Sequence, residues 1–348
     1  MKPKIILAIT IKSNIAAKSL FISLLLMFSG IAFSDTQTSE KRGLEWQGPK
    51  KELKIPYVAG KYHALIIGNE EYTDKNGVWK DLSTAANDAK ALAGLLKKDY
   101  GFHNVTLMRN AGRRDILQAL DDLSVVLEPN DNVLIYYAGH GHLEEEKNRG
   151  FWIPTDAIGG EPDTYLRNST IRDEINIIAE RTKHTLVISD SCFSGTLMRS
   201  ATRGSADDAK VDGYYAKVGN KKSVQVLAAG GEEFVDDSYR DSGHSPFTYF
   251  LINELKHNTK ALLSLAELAT NVSIAVANNV EQTPESGVLL GAGDELGQFI
   301  FARVNVSEGV VSDVTIGAGA VPKDIIEWQK PKPKPLKLED YTIPTLRL

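Results

Sequence analysis

Two short stretches carry side chains that can attack a carbonyl and move protons. The first, "SDSCFSG" (189–195), holds Cys192, the only cysteine of the chain. The second, "AGHGH" (138–142), sets His140 and His142 among glycines. A thiol attacks well only as thiolate, so a nucleophilic cysteine needs a base or a positive field beside it. Histidine is the side chain whose proton affinity suits that work near neutral pH. Of the seven histidines, His140 is the favoured partner. It is the first residue clear of an apolar run, and the glycines beside it let the backbone approach a substrate. His142 lies further into the loop. His63, His103 and His184 open or precede strands and read as surface or partly buried polar residues. His257 reads as a helix-end residue, and His244, just before a helix, as a side chain able to rim a cleft. Cys192 also has a plainer reading, as a small hydrophobe closing a core strand. Its small or polar neighbours Ser189, Asp190, Ser191 and Ser194 argue against deep burial.

The elements that must position these residues alternate along the chain. "YHALIIGN" (62–69), "NVTLMRN" (104–110), "NVLIYYAGHG" (132–141), "HTLVISDSC" (184–192), "SVQVLAAG" (223–230) and a last strand "GQFIFARV" (297–304) read as short apolar strands. Helical spacing marks "STAANDAKALAGLLKKDYG", with Ser83 or Thr84 to cap it and Gly101 to end it. Further helices are expected over 113–127, 170–180, 245–257 and 264–279. Strands alternating with helices predict an α/β fold of three layers, α/β/α, with about six mostly parallel strands covered on both faces. Ligands of such sheets bind beyond the carboxyl ends of the strands. Both chemistry-bearing stretches fall there.

The 348 residues carry a net charge of −5, which gives no reason to expect nucleic acid as a partner. A single cysteine excludes an internal disulfide framework and a Cys-rich zinc site. Residues 1–34 read as a signal peptide. Lys2, Lys4, Lys12 and Lys18 precede the uncharged Leu20–Phe33, and small residues near Ser34 suit cleavage and export to the periplasm or outside. A retained N-terminal membrane anchor is the alternative. Residues 35–60 read as a linker, 61–304 as the domain, and 305–348 as a Pro/Lys-containing tail. Within the domain, 199–222 reads as a long surface loop between a larger portion and a smaller one (223–304).

The spacing of "AGHG" and "DSCFSG", about fifty residues apart, resembles the caspase-like cysteine peptidases (peptidase C14), in their bacterial and metacaspase-like branch. "ALIIGNEEY", "AANDAKAL", "GFWIPTDA", "LAAGGEEFVDD" and "GVLLGAGDELGQFIF" extend the resemblance from residue 61 to about 303. It implies a caspase-like fold and a cysteine endopeptidase. Cys192 would be the nucleophile, His140 the general base and later acid, and the N–H groups of Gly141 and Cys192 an oxyanion hole. The residues agree: Gly141 can aim its N–H inward and Gly195 permits a tight turn. No third residue is marked, so a dyad is expected. By the same resemblance Asp190 and Asp88, with Glu232 as a third acid, line a pocket. Two carboxylates there prefer Arg and then Lys as guest, so the expected partners are proteins or peptides cut after those residues. Arg199, Arg203, Lys210, Lys217, Lys221 and Lys222 lie in the segment where relatives process themselves; the alternative is an ordinary basic loop. Many metacaspases use calcium, and the matching acids would be Asp156 and Asp173. Arg172 and Arg199 stand where further acids would be, so no metal and no other cofactor is expected. Position 193 is Phe where metacaspases commonly carry His. Two other outcomes share this architecture, a silent scaffold and a legumain- or gingipain-like peptidase or ligase.

Overall fold

The computed structural model describes residues 58–192, 197–200, 211–230, 235–289, 291, 293–304, 315–316 and 324–329. The expected signal peptide, most of the linker, Glu232, Arg203 and Lys210 lie outside them.

Six strands form the body of one sheet: β1 (Tyr62–Gly68), β2 (Asn104–Arg109), β3 (Asn132–Ala138), β4 (His184–Asp190), β5 (Ser223–Ala228) and β6 (Glu285–Leu289). Their spatial order is β2-β1-β3-β4-β5-β6. The first five run parallel and β6 runs antiparallel to β5. The helices are α1 (Ala85–Tyr100), α2 (Arg113–Val125), α3 (Asn168–Glu180), α4 (Val211–Gly219), α5 (Pro246–His257) and α6 (Leu265–Ala277).

Every residue of β1, β3 and β4 is buried, and side chains alternate between two cores, as a strand covered on both faces requires. Ala64, Ile66, Leu134, Tyr136, Leu186 and Ile188 pack with α1, α5 and α6. Leu65, Ile67, Val133, Ile135, Tyr137 and Val187 pack with α2 and α3. This alternation fixes the face each strand end presents. Asp190 continues the even-numbered series of β4 and so points to the α1/α5 side, while Ser189 points to the other. Gly101 ends α1 at φ 60°, a left-handed position that costs a non-glycine residue about 1 kcal/mol.

Four features differ from the sequence expectation. Ile300–Ala302, inside the stretch read as the last strand, pairs with Leu262–Ser264 away from the main sheet. The sixth main strand is β6, hidden in a Gly- and Glu-containing stretch because only its last three residues are buried. The 199–222 segment is not wholly loop. Met198–Ser200 adds an edge strand beside β6, and α4 buries Tyr215 and Ala216. At the opposite edge Ile326–Glu327 pairs parallel with β2. Trp328 packs on the α2/α3 core and Glu327 meets Arg109 at 2.9 Å, so the ordered sheet extends into the expected tail.

Candidate active site

The sheet register brings the two motifs together. Ala138 of β3 pairs with Asp190 of β4, so His140 and Cys192 each stand two residues beyond a paired position on adjacent parallel strands. Both line one cleft of about 310 Å³, with Gly139, Gly141, Asp88, Asp190, Asp236 and Asp237 in its wall. Cys192 is half-buried there, not sealed in the core. Its neighbours behave otherwise than expected: Ser189, Asp190 and Ser191 are all buried. They are polar because partners meet them inside. Trp152 Nε1 donates to Ser189 Oγ at 3.1 Å, and Ser189 and Ser191 share a hydroxyl contact at 3.0 Å.

The hairpin Gly141–Glu144 with Arg149–Trp152 departs directly from His140. Gly141 is required by close approach, not by an unusual dihedral angle. A Cβ at that position would lie 2.0 Å from the Cys192 carbonyl oxygen and 3.2 Å from its nitrogen. The backbones meant to surround the developing oxyanion are therefore in van der Waals contact.

His140 is oriented by groups the sequence does not mark. Its Nε2 donates to the Lys80 carbonyl at 2.7 Å, which fixes the tautomer and leaves Nδ1 as the basic nitrogen. Its ring lies against Tyr72 and Trp79, with centroids 4.8 and 5.6 Å away, and Tyr72 Oη accepts the His140 N–H at 2.9 Å. Lys80 acts through its main chain, so no residue-type signal could have found it. Burial pushes the His140 ring below its usual 6.5, opposed by the Lys80 carbonyl and Asp237. Burial raises the Cys192 thiol, helped by Asp190 and opposed by the Val235 N–H, which reaches Sγ at 3.3 Å. At neutral pH the resting pair is thus a thiol and a neutral imidazole.

The other histidines have structural partners. His63 meets Asp131 at 3.0 Å, and His184 lies between Ser223 Oγ and the Gly219 carbonyl. Both are fully buried, more so than expected. His142 packs among Trp79, Phe151 and Tyr165. His257 Nδ1 pairs with the Asn253 carbonyl at a helix end, as read. His244 reaches the cleft wall through Asp88, at 2.5 Å.

The acidic wall is built where two helices start. Asp88 lies in the first turn of α1 and is buried. Asp190 Oδ2 accepts from Ser245 Oγ at 2.5 Å and Thr248 Oγ1 at 2.7 Å, both from the start of α5. Burial and the nearby Asp88 push Asp190 up to about 7, against the pull of those hydroxyls. Asp88 is raised by burial, against His244 and the Ser245 N–H. The stretch "EEFVDD" also brings Asp236 and Asp237 to the cleft, two acids besides the expected Glu232.

A raised native-state value makes Asp190 a cost to folding once the unfolded chain has lost its proton. The penalty is absent near pH 4, grows toward pH 7 and is constant above. Asp190→Asn is accordingly expected to stabilise the fold by about 1–2 kcal/mol at pH 8 and not at pH 4. Thermal unfolding at the two pH values checks this, as a rise of several degrees at pH 8 only.

Asp156 does not present a calcium ligand. Its Oδ1 accepts the Arg113 N–H at 2.8 Å and caps α2. Asp173 is exposed on α3, and no group of three His, Cys, Asp or Glu side chains converges as a metal site among the described residues. These donors do not fit the ion. Of the expected processing positions, Arg199 pairs with Val288 in the sheet and Lys217 lies on α4. Lys221 and Lys222 form the turn before β5, where the Lys222 N–H and carbonyl both bond to Glu295.

A family model for the caspase domain matches residues 61–288. The chain belongs to the caspase-domain peptidase family. Metacaspase-6 of Arabidopsis thaliana is 24% identical over 293 residues, 74% of this chain and 76% of that protein. Metacaspase-1 of Saccharomyces cerevisiae is 25% identical over 166 residues, 44% of this chain, and the match spans only 38% of the yeast protein. Among solved structures, caspase-1 of Spodoptera frugiperda matches at 14% identity and a TM-score of 0.46, covering 72% of this chain and 98% of that one. A Geobacter sulfurreducens protein gives the same score at 18% identity, covering 69% and 99%. Within the matched range stand His140 and Cys192, each just beyond the end of one of two paired strands.

Proposed function

We propose that this caspase domain is a cysteine endopeptidase that hydrolyses peptide bonds after arginine or lysine. One observation carries the reading: His140 and Cys192, at the ends of paired strands, open on a cleft walled by Asp88 and Asp190. In the forward step His140 Nδ1 takes the thiol proton as Sγ attacks the carbonyl carbon. The oxygen gains the negative charge, which the N–H groups of Gly141 and Cys192 are assigned to meet; such donors contribute about 3 kcal/mol each. The amine leaves with the proton from His140, giving a thioester at Cys192. Water, deprotonated by His140, then attacks the thioester and releases the acid and the thiol.

Arginine or lysine is held by charge. A guanidinium can satisfy two carboxylates with fixed geometry, and the described lining of the cleft has no lysine or arginine to compete. The test is turnover of fluorogenic peptides ending in Arg, Lys, Asp or Asn, with Cys192→Ala as the blank. Cleavage after Arg and Lys alone supports the reading. Cleavage after Asp sinks the acidic pocket, cleavage after Asn points to a legumain-like specificity, and no turnover of any favours a silent scaffold.

The pH profile should carry the same signature. His140 is free of its proton above its lowered value, so the residual turnover of peptides with a neutral residue reaches half its full kcat/KM below pH 6.5. Cationic peptides also need Asp190 ionised, so their kcat/KM continues to rise through about pH 7. Superimposable profiles for the two peptide classes contradict this.

Self-processing belongs to the same proposal. Arg199, Lys217, Lys221 and Lys222 are held in strand, helix or a bonded turn, and cutting there requires local opening. Cuts within 199–222 are expected, read by mass spectrometry of the incubated chain against Cys192→Ala. Export follows from the N-terminal reading and is checked by fractionating cells and sequencing the mature N-terminus.

A further inference from the structure

The acidic wall contains a group beyond its carboxylates. His244 lies in the loop just before α5, and that loop is closed on itself. Tyr239 N–H donates to the His244 carbonyl at 2.7 Å, and the His244 N–H donates to Ser242 Oγ at 3.2 Å. Asn87, next to Asp88 on α1, donates to the Gly243 carbonyl at 2.7 Å and ties the loop to the helix. The imidazole is thereby held with Nδ1 at 2.5 Å from Asp88 Oδ1, while the Ser245 N–H reaches Oδ2 at 3.1 Å. The Asp88 side chain is 1% exposed and His244 20%.

Charge balance shows what this contact can do. Two buried carboxylates sharing one pocket cannot both stay ionised without positive charge beside them. Asp88 and Asp190 are such a pair. Around them stand His244 and Ser245 from the loop, Tyr136 from β3, Thr248 from α5 and Asp237 across the cleft. Of these only His244 can carry a positive charge. A cationic guest brings one positive charge to the pair, and the His244 imidazole already meets the Asp88 carboxylate at 2.5 Å.

We infer that His244 is a specificity-determining residue: it holds Asp88 as a charged, oriented carboxylate, so that recognition of a cationic side chain needs His244, Asp88 and Asp190 together. This rests on the reading of the pocket as cation-selecting. His244 is a positioning residue, acting on the guest through Asp88. Without it Asp88 takes up a proton in its buried site, and the pocket meets the guest with one carboxylate.

The test uses the full chain and two peptides that differ only in ending with arginine or with citrulline, its uncharged isostere. The ratio of their kcat/KM values is followed from pH 6 to pH 9 for the native chain, His244→Ala and His244→Gln. In His244→Ala the ratio should fall about tenfold at pH 6.5, through KM, and its pH midpoint should move up by about one unit. His244→Gln keeps a hydrogen-bond donor but no charge. It should show the same upward shift with a smaller fall, and it keeps the test open if His244→Ala does not fold. A native ratio and midpoint in both variants overturns the assignment of His244 while leaving the cationic pocket intact. Equal losses on both peptides overturn it too, since they mark a merely structural role. A native chain that cleaves citrulline peptides as well as arginine peptides sinks the pocket reading itself, and this one with it.

Discussion

Cys192→Ala and His140→Ala each lower kcat by about four to six orders of magnitude, the range seen when a nucleophile or its base is removed from a group that acts as a unit. The two variants should differ in one respect. Cys192→Ala has no thiol and no residual pH dependence above the blank. His140→Ala keeps a thiol, raised by burial and by Asp190 so that little thiolate exists at pH 7. Its residual rate must then follow the thiolate fraction, climbing about tenfold per pH unit from 7 to 9. The native chain, with its base free above a lowered value, should be nearly flat over that interval. Steady-state rates of the three proteins on an arginine peptide check this. A native-like plateau in His140→Ala would show that some other base serves Cys192.

Gly141→Ala is expected to lower kcat by about three orders of magnitude with a modest change in KM. One methyl group is placed 2.0 Å from the Cys192 carbonyl oxygen, a distance no real contact tolerates. Neither backbone can retreat easily. Gly141 opens a hairpin paired with Trp152, and Cys192 follows two buried residues, Asp190 and Ser191. The strand ends must part, which moves the nucleophile and misaligns the N–H groups assigned to the oxyanion; losing one such donor alone costs a hundred- to a thousandfold. The acidic pocket lies on the α1/α5 side and is left in place, so an arginine-containing aldehyde or amine should still compete for it. Gly141→Ala with native kcat would mean that the close approach is not needed for catalysis.

Much of this site is written in residue types. A thiol after "LVISDS" and an imidazole after "LIYYAG" share one pattern, a buried run followed by small residues, and parallel pairing then brings them side by side. Asp88 and Asp190 are legible only through the family resemblance carried by "AANDAK" and "DSCFSG"; the residues themselves add just the two-residue step that sets Asp190 on the nucleophile's side. What stayed hidden acts through main chain or through distance. The Lys80 carbonyl that fixes the imidazole has no side-chain signature. Ser245 and Thr248 come from a helix start about fifty residues beyond Asp190, and only the fold delivers them; His244 is legible as a cleft-rim residue, but its pairing with Asp88 is not. The buried Ser189 and Ser191 mimic a surface turn in sequence because their partners, Trp152 and each other, are invisible without coordinates. Strand β6 escaped because three buried residues are too few for a period, and the Ile326–Glu327 edge because it is two residues long.

The most direct measurement is to mix the native chain with an arginine peptide ester, quench in acid within milliseconds, and weigh the protein. The account predicts a mass gain equal to the acyl group, located on the peptide that contains Cys192, removed by hydroxylamine and absent from His140→Ala on that time scale. Product formed without any such adduct, or an adduct that appears as fast when His140 is gone, would contradict it.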